Sequence, residues 1–146
     1  FNVETGDVTF VNAGHESIMV FDRSKNFEYI KSELQPIGII KYFTESMVKS
    51  QTINLKDKTF VVYTDGVTEG YLKNGQELGA EGVQKIVTSL ENITPKNIVD
   101  TISKELNWGA EKLRDDITCL ALDLKNTELI KKQKKKAENK PVDKDK

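Results

Sequence analysis

Two aspartates in this 146-residue chain stand where an apolar, strand-like run ends or begins. Asp65 closes Thr59-Phe60-Val61-Val62-Tyr63-Thr64 and is followed by Gly66. Asp115 and Asp116 lead directly into Ile117-Thr118-Cys119-Leu120-Ala121-Leu122. A carboxylate held beside a buried strand is costly unless a cation compensates it. A hard divalent ion such as Mg²⁺ or Mn²⁺ does so, because it prefers oxygen ligands. Gly66 lets the backbone turn sharply or approach a ligand closely, and Glu69 lies just beyond it. Each motif alone also has an ordinary meaning. Asp-Gly is a common turn, and Asp115-Asp116 is equally a solvated step ahead of a strand, with Lys112 or Arg114 as partner.

A third constellation is Val11-Asn12-Ala13-Gly14-His15-Glu16, which holds the only histidine. A strand running into small residues and then an imidazole suits a site mouth, where histidine can exchange a proton near neutral pH. A loop histidine at a hairpin end, with Asn12 closing its own turn, fits the same residues.

The elements that must position these groups follow from periodicity. Val8–Val11, Ile18–Phe21 and Phe27–Ile30 read as antiparallel strands separated by turn residues. Pro36 and Gly38 punctuate a loop. Tyr42–Met47 and Ser50–Leu55 read as a pair of more exposed strands, and Leu55-Lys56-Asp57-Lys58 turns into the buried strand at Phe60. Val83, Ile86, Val87 and Leu90 make one helical face. Thr94 and Pro95 open a second helix with the stripe Ile98, Val99, Ile102 and Leu106, and Asn107-Trp108-Gly109 ends it. The last strand, Ile117 to about Leu124, is apolar on both faces, which predicts a place in the middle of a layered core. The order predicts an α+β layered fold, a sheet or sheet pair flanked by helices.

Composition bounds the function. Hydrophobic residues make up 37% and charged residues 31%, as in an ordinary globular domain. No apolar run has membrane-spanning length, and no signal peptide opens the chain. The single Cys119 excludes an internal disulfide, and with one histidine a cysteine-rich zinc site is disfavoured. A cytoplasmic setting is expected. Residues 131–146 hold eight lysines against Glu138, Asp143 and Asp145, a local charge of +5, so the other 130 residues carry −6 of the net −1. An acidic body of this kind is not a nucleic-acid binder. A calcium loop or membrane-surface module fares no better: no loop has EF-hand spacing, and the tail lacks an apolar helical face beyond Leu129 and Ile130.

Taken in order, the motifs Asn12-Ala13-Gly14-His15, Pro36-Ile37-Gly38, Tyr63-Thr64-Asp65-Gly66-Val67-Thr68-Glu69, Glu77-Leu78-Gly79 and Asp115-Asp116-Ile117-Thr118 resemble the SpoIIE-type phosphatases. These are the bacterial branch of the metal-dependent (type 2C) serine/threonine protein phosphatases. The resemblance implies a β-sandwich flanked by helices, with a binuclear Mn²⁺ or Mg²⁺ centre. It implies Asp65 and Asp115 as metal ligands, Gly66, Asp116 and Glu69 as supporting residues, and His15 and Asn12 on the catalytic, substrate-facing side. A metal-activated water would hydrolyse phosphoserine or phosphothreonine on a regulatory protein such as an anti-sigma-factor antagonist. The resemblance also implies an upstream sensor domain, in a parent protein that can be membrane-tethered.

The family's Gly-His-Gly segment has no counterpart among these residues, and the resemblance implies that its early Gly-Asp motif with aromatics lies in a part of the domain that precedes them. Residues 1–126 are therefore expected to be the later portion of the domain, N-terminally truncated and inactive alone, with 127–146 a flexible lysine-rich tail. A cut sandwich is expected to self-associate through exposed sheet edges. The alternative is a non-catalytic interaction domain of the same fold.

Overall fold

The computed structural model describes residues 1–106 and 115–124. Six strands form two antiparallel sheets: β1 (Asp7–Phe10) pairs with β4 (Gln51–Asn54), while β3 (Phe27–Ile30), β2 (Ile18–Asp22), β5 (Lys58–Tyr63) and β6 (Cys119–Asp123) make a four-stranded sheet in that order. Helices α1 (Asp65–Thr68), α2 (Gly79–Ser89) and α3 (Pro95–Glu105) fall between β5 and β6 in the chain.

Alternation along the central strands builds three layers. Ile18 and Val20 on β2, Phe60 on β5 and Leu122 beyond it join Val8 and Leu55 in a core against the two-stranded sheet. The intervening residues Met19, Phe21, Val61 and Tyr63 face the other way and pack with Val67, Val83, Val87, Ile98 and Ile102 of the helices. A strand's period of two makes this two-sided burial possible. Tyr29 Oη donates to Gln84 Oε1 at 3.2 Å, tying β3 to α2. Arg23 Nη1 donates to the Ile93 carbonyl at 3.0 Å, tying the β2–β3 hairpin to the α2–α3 connection. The side chain of Thr94 caps α3 by accepting from the Asn97 amide at 3.2 Å, with Pro95 in the first turn.

Three expectations change. Tyr42–Met47 is not a strand; Glu45–Met47 is a single 3₁₀ turn with no buried residue, and the partner of β4 is β1. The apolar side chains there have no facing layer, and Tyr42 is 73% exposed. Strand β6 is not central: it lies at the edge of its sheet among the described residues, and β2 and β5 hold the middle. Its two faces do separate as the sequence suggests, Leu122 and Leu124 towards the small sheet and Ile117, Cys119 and Ala121 towards the helices. Among the described residues the small sheet has two strands, and Leu120 is 50% exposed. Finally, Asp65 opens a short helix rather than a simple turn. The expected helix end at Asn107-Trp108-Gly109 and the lysine-rich tail lie outside the described residues. No helix among the described residues is long and apolar enough to cross a membrane.

Burial beneath the helices pushes the Cys119 thiol up from 9.0 to about 11. The folded state therefore holds this proton more tightly than the unfolded chain. The resulting stability is complete below pH 9.0 and is lost as pH rises towards about 11. Alkylation by iodoacetamide at pH 8 should run about 100-fold slower in the native protein than in the urea-unfolded chain, because only the thiolate reacts. Equal rates, followed by mass spectrometry, would show Cys119 to be freely accessible.

Candidate active site at the β5–β6 end

The site begins where the β5–β6 ladder ends. The last pair in register is Tyr63 with Cys119. Beyond it the two strands stay joined through Thr64, by its backbone and its side chain. The Thr64 amide donates to the Thr118 carbonyl at 3.0 Å. The Thr64 hydroxyl donates to the Asp116 carbonyl at 2.9 Å and accepts from the Thr118 amide at 3.0 Å. Directly after Thr64, Gly66 passes under the aspartate pair: a Cβ there would lie 2.5 Å from the Asp116 carbonyl oxygen and 3.3 Å from that of Asp115. Only a residue without a side chain allows this approach. Asp65 and the Asp115-Asp116 pair, some fifty residues apart in the chain, are thereby held side by side.

The second wall is the Asn12–Glu16 loop. Gly14, His15, Glu16, Thr64 and Asp65 line one cleft of about 180 Å³. Asn12 is buried and shapes this loop: its Oδ1 accepts from the His15 amide at 2.9 Å and its Nδ2 donates to the Glu16 carbonyl at 3.2 Å. Ser32 fixes the loop from outside, its hydroxyl accepting from the Gly14 amide at 2.7 Å and donating to the Asn12 carbonyl at 2.8 Å. Gly14 has φ +78 and lies against Pro36, where a Cβ would meet the ring at 2.3 Å. The Pro36-Ile37-Gly38 segment thus starts as the backing of the His15 loop.

Asp65, Asp115, Asp116, Glu69 and His15 are all exposed. The desolvation cost that their neighbouring strands suggest therefore does not arise, because both aspartate motifs sit past the strand ends. One oxygen of each leading carboxylate is engaged locally. Asp65 Oδ1 accepts from the Gly66 amide at 2.9 Å, and Asp115 Oδ1 accepts from the Asp116 amide at 2.7 Å. Glu69 ends α1, its amide donating to the Asp65 carbonyl at 2.8 Å.

Among the described residues, no three of His, Cys, Asp and Glu gather closely enough to hold a metal ion. Two carboxylates match the way Mg²⁺ is commonly held, by one or two carboxylates with water and phosphate completing the octahedron. Such oxygen donors suit a hard divalent ion in kind.

Thr64, Ser32 and Glu16 carry no assignment from sequence. Thr64 had a detectable signal, a hydroxyl between a buried strand and an acidic turn. Ser32 had none, because its partners lie in a different loop.

Replacing Gly66 by Ala should force the β5–β6 end apart, an overpacking cost of about 1–3 kcal/mol. Urea unfolding should show this loss. A Gly66→Ala variant as stable as the wild type would mean that the Asp115-Asp116 backbone does not press on Gly66.

The profile of the Stage II sporulation protein E (SpoIIE) family matches residues 1–125. No curated protein matches the chain. Among solved structures, the phosphatase domain of SpoIIE from Bacillus subtilis (Mn presoaked) is 20% identical with a TM-score of 0.60, over 85% of this chain and 53% of that one. The SiaA-PP2C domain of Pseudomonas aeruginosa is 20% identical with a TM-score of 0.59, over 81% of this chain and 46% of that one. RsbX in complex with magnesium is 15% identical with a TM-score of 0.54, over 83% and 51%. The chain spans about half the length of these structures, and at such identities they show the fold alone, that of a PP2C phosphatase domain. With the family profile running through both aspartate motifs and the His15 loop, the chain belongs to the SpoIIE family.

Proposed function

We propose that this chain is the later portion of a metal-dependent serine/threonine protein phosphatase domain. The observation that carries this reading is the meeting of three separated motifs at one end of the four-stranded sheet. Thr64 and Gly66 hold Asp115-Asp116 against Asp65, and His15 shares a cleft with Asp65.

In this reading Asp65 and Asp115 would hold Mn²⁺ or Mg²⁺. The cations, two in the complete domain, would acidify a water molecule and neutralise charge on the phosphoryl oxygens. The remaining work falls to the chain itself. Gly66 permits the close approach of the two aspartate segments, and Asp116 supports them through its carbonyl. Glu69 adds negative charge at the end of α1 next to the site. His15 faces the substrate side, where it can give a proton to the departing serine or threonine oxygen, and Asn12 holds the loop that presents it. The substrate proposed is a phosphorylated bacterial regulatory protein of the anti-sigma-factor-antagonist kind, in the cytoplasm, with an upstream sensor domain controlling the enzyme. The residues present provide two metal carboxylates, so the isolated chain is expected to be inactive. The half-exposed Leu120 on β6 also favours self-association.

Mn²⁺-dependent hydrolysis of p-nitrophenyl phosphate tests the reading. This chain, the chain extended upstream by its natural sequence, and the extended Asp65→Asn variant should be compared. Activity is expected in the extended wild type only, with Asp65→Asn lowering it by more than about 100-fold, since even outer-shell changes at metal sites cost 10–100-fold. An extended chain without activity at any Mn²⁺ concentration would favour the non-catalytic interaction domain. Light scattering of this chain at micromolar concentration should show dimers or larger species; a clean monomer would count against exposed edges that pair.

A further inference from the structure

Helix α1 carries Asp65 but is four residues long, too short to hold its own place. Its Val67 is fully buried, in the same core cluster as Leu78, Val83 and Leu106 of the helical layer. The segment that follows is fixed more firmly. The Gly70 carbonyl accepts from the Leu78 amide at 2.9 Å at the start of α2, and Leu72 forms an antiparallel bridge with Leu106 at the end of α3. Gly70 sits at the junction of the three. A Cβ at Gly70 would lie 2.7 Å from Leu106 Cδ2, 3.0 Å from the Gly66 carbonyl oxygen and 3.2 Å from that of Val67. Leu106 is 3% exposed, and the two carbonyl oxygens are fixed backbone atoms. The same Leu106 ends the helix that packs across β6, the strand entered from Asp115-Asp116.

We propose that the Gly70–Leu106 contact is a positioning device for the Asp65/Asp115 pair: it sets how far the start of α1 stands from the Asp115-Asp116 segment, opposite the Thr64–Asp116 hydrogen bonds. Gly70 and Leu106 touch no substrate. They act through α1 on one side and through α3 and β6 on the other, so the outer helices α2 and α3 are mechanically coupled to metal affinity. The inference rests on the metallophosphatase reading for its ligand, but the coupling itself is independent of it.

The test uses the protein with its natural upstream sequence and Mn²⁺ alone, titrated by calorimetry. Gly70→Ala should raise the Mn²⁺ dissociation constant by about tenfold or more, as changes behind metal ligands do. Gly70→Ala combined with Leu106→Ala, which removes the clash, should recover most of that affinity while losing further thermal stability. Val87→Ala, buried in the same layer away from segment 70–72, should lower the melting temperature and leave the Mn²⁺ affinity unchanged. A folded Gly70→Ala with wild-type affinity overturns the proposal. If Gly70→Ala does not fold, Leu106→Val takes its place. Weakening of Mn²⁺ no greater than in Val87→Ala at equal loss of melting temperature then overturns it. If the wild type binds no Mn²⁺, the functional reading fails, and amide exchange decides the coupling. The Gly66, Asp116 and Thr118 amides, each bonded within the site, should exchange faster in Gly70→Ala than in Val87→Ala, and equal rates overturn the proposal.

Discussion

The placement of the site depends on the hydrogen bonds that Thr64 makes after β5 has ended. A ladder stops when two strands diverge, and its last residues then fray. Here the Thr64 hydroxyl replaces the next rungs, donating to the Asp116 carbonyl and accepting from the Thr118 amide. One side chain thereby satisfies an acceptor and a donor of the facing strand. It carries the register of β5 and β6 past the sheet and onto the two aspartate motifs. Gly66 completes the arrangement by leaving the space into which Asp116 is drawn.

The three layers give this junction a rigid base. Strands β2 and β5 are buried on both faces, between the β1–β4 pair and the helices. A packed interior resists displacement by even a methylene, so the ends of β5 are well defined although the residues beyond are exposed. The His15 loop is defined differently. It has no core of its own and is held by Asn12 from within and by Ser32 and Pro36 from behind. Two independent supports thus converge on one cleft.

The exposure of the carboxylates is compatible with the proposed role, in which a cation would arrive from solvent. A buried aspartate pair without metal would be strained by desolvation and mutual repulsion. The carboxylates of Asp65 and Asp115 are exposed and each is steadied by the next residue's amide, so neither cost arises here. Leu120 is 50% exposed, and this chain spans about half the length of the solved PP2C domains it matches.

The sequence alone marked most of the strands and helices and singled out His15 and Asp65 of the cleft. Alternation in Ile18–Phe21 and Phe60–Tyr63 marks two-sided strands, the 3.6-residue stripes mark α2 and α3, and Thr94-Pro95 marks a helix start, because these signals are local. Asp65, Asp115 and His15 stood out for the same reason: each follows or precedes an apolar run. Neighbours remote in the chain were decided only by the tertiary structure. Tyr42–Met47 has strand-like residues but no sheet beside it, and β6 is apolar on both faces yet stands at an edge. The sequence also could not show that Asp65 and Asp115 lie past the strand ends in solvent. Nor could it show that Thr64, Ser32 and Leu106 hold the site together. Their partners lie in other segments, and only the packing of the layers brings them within reach.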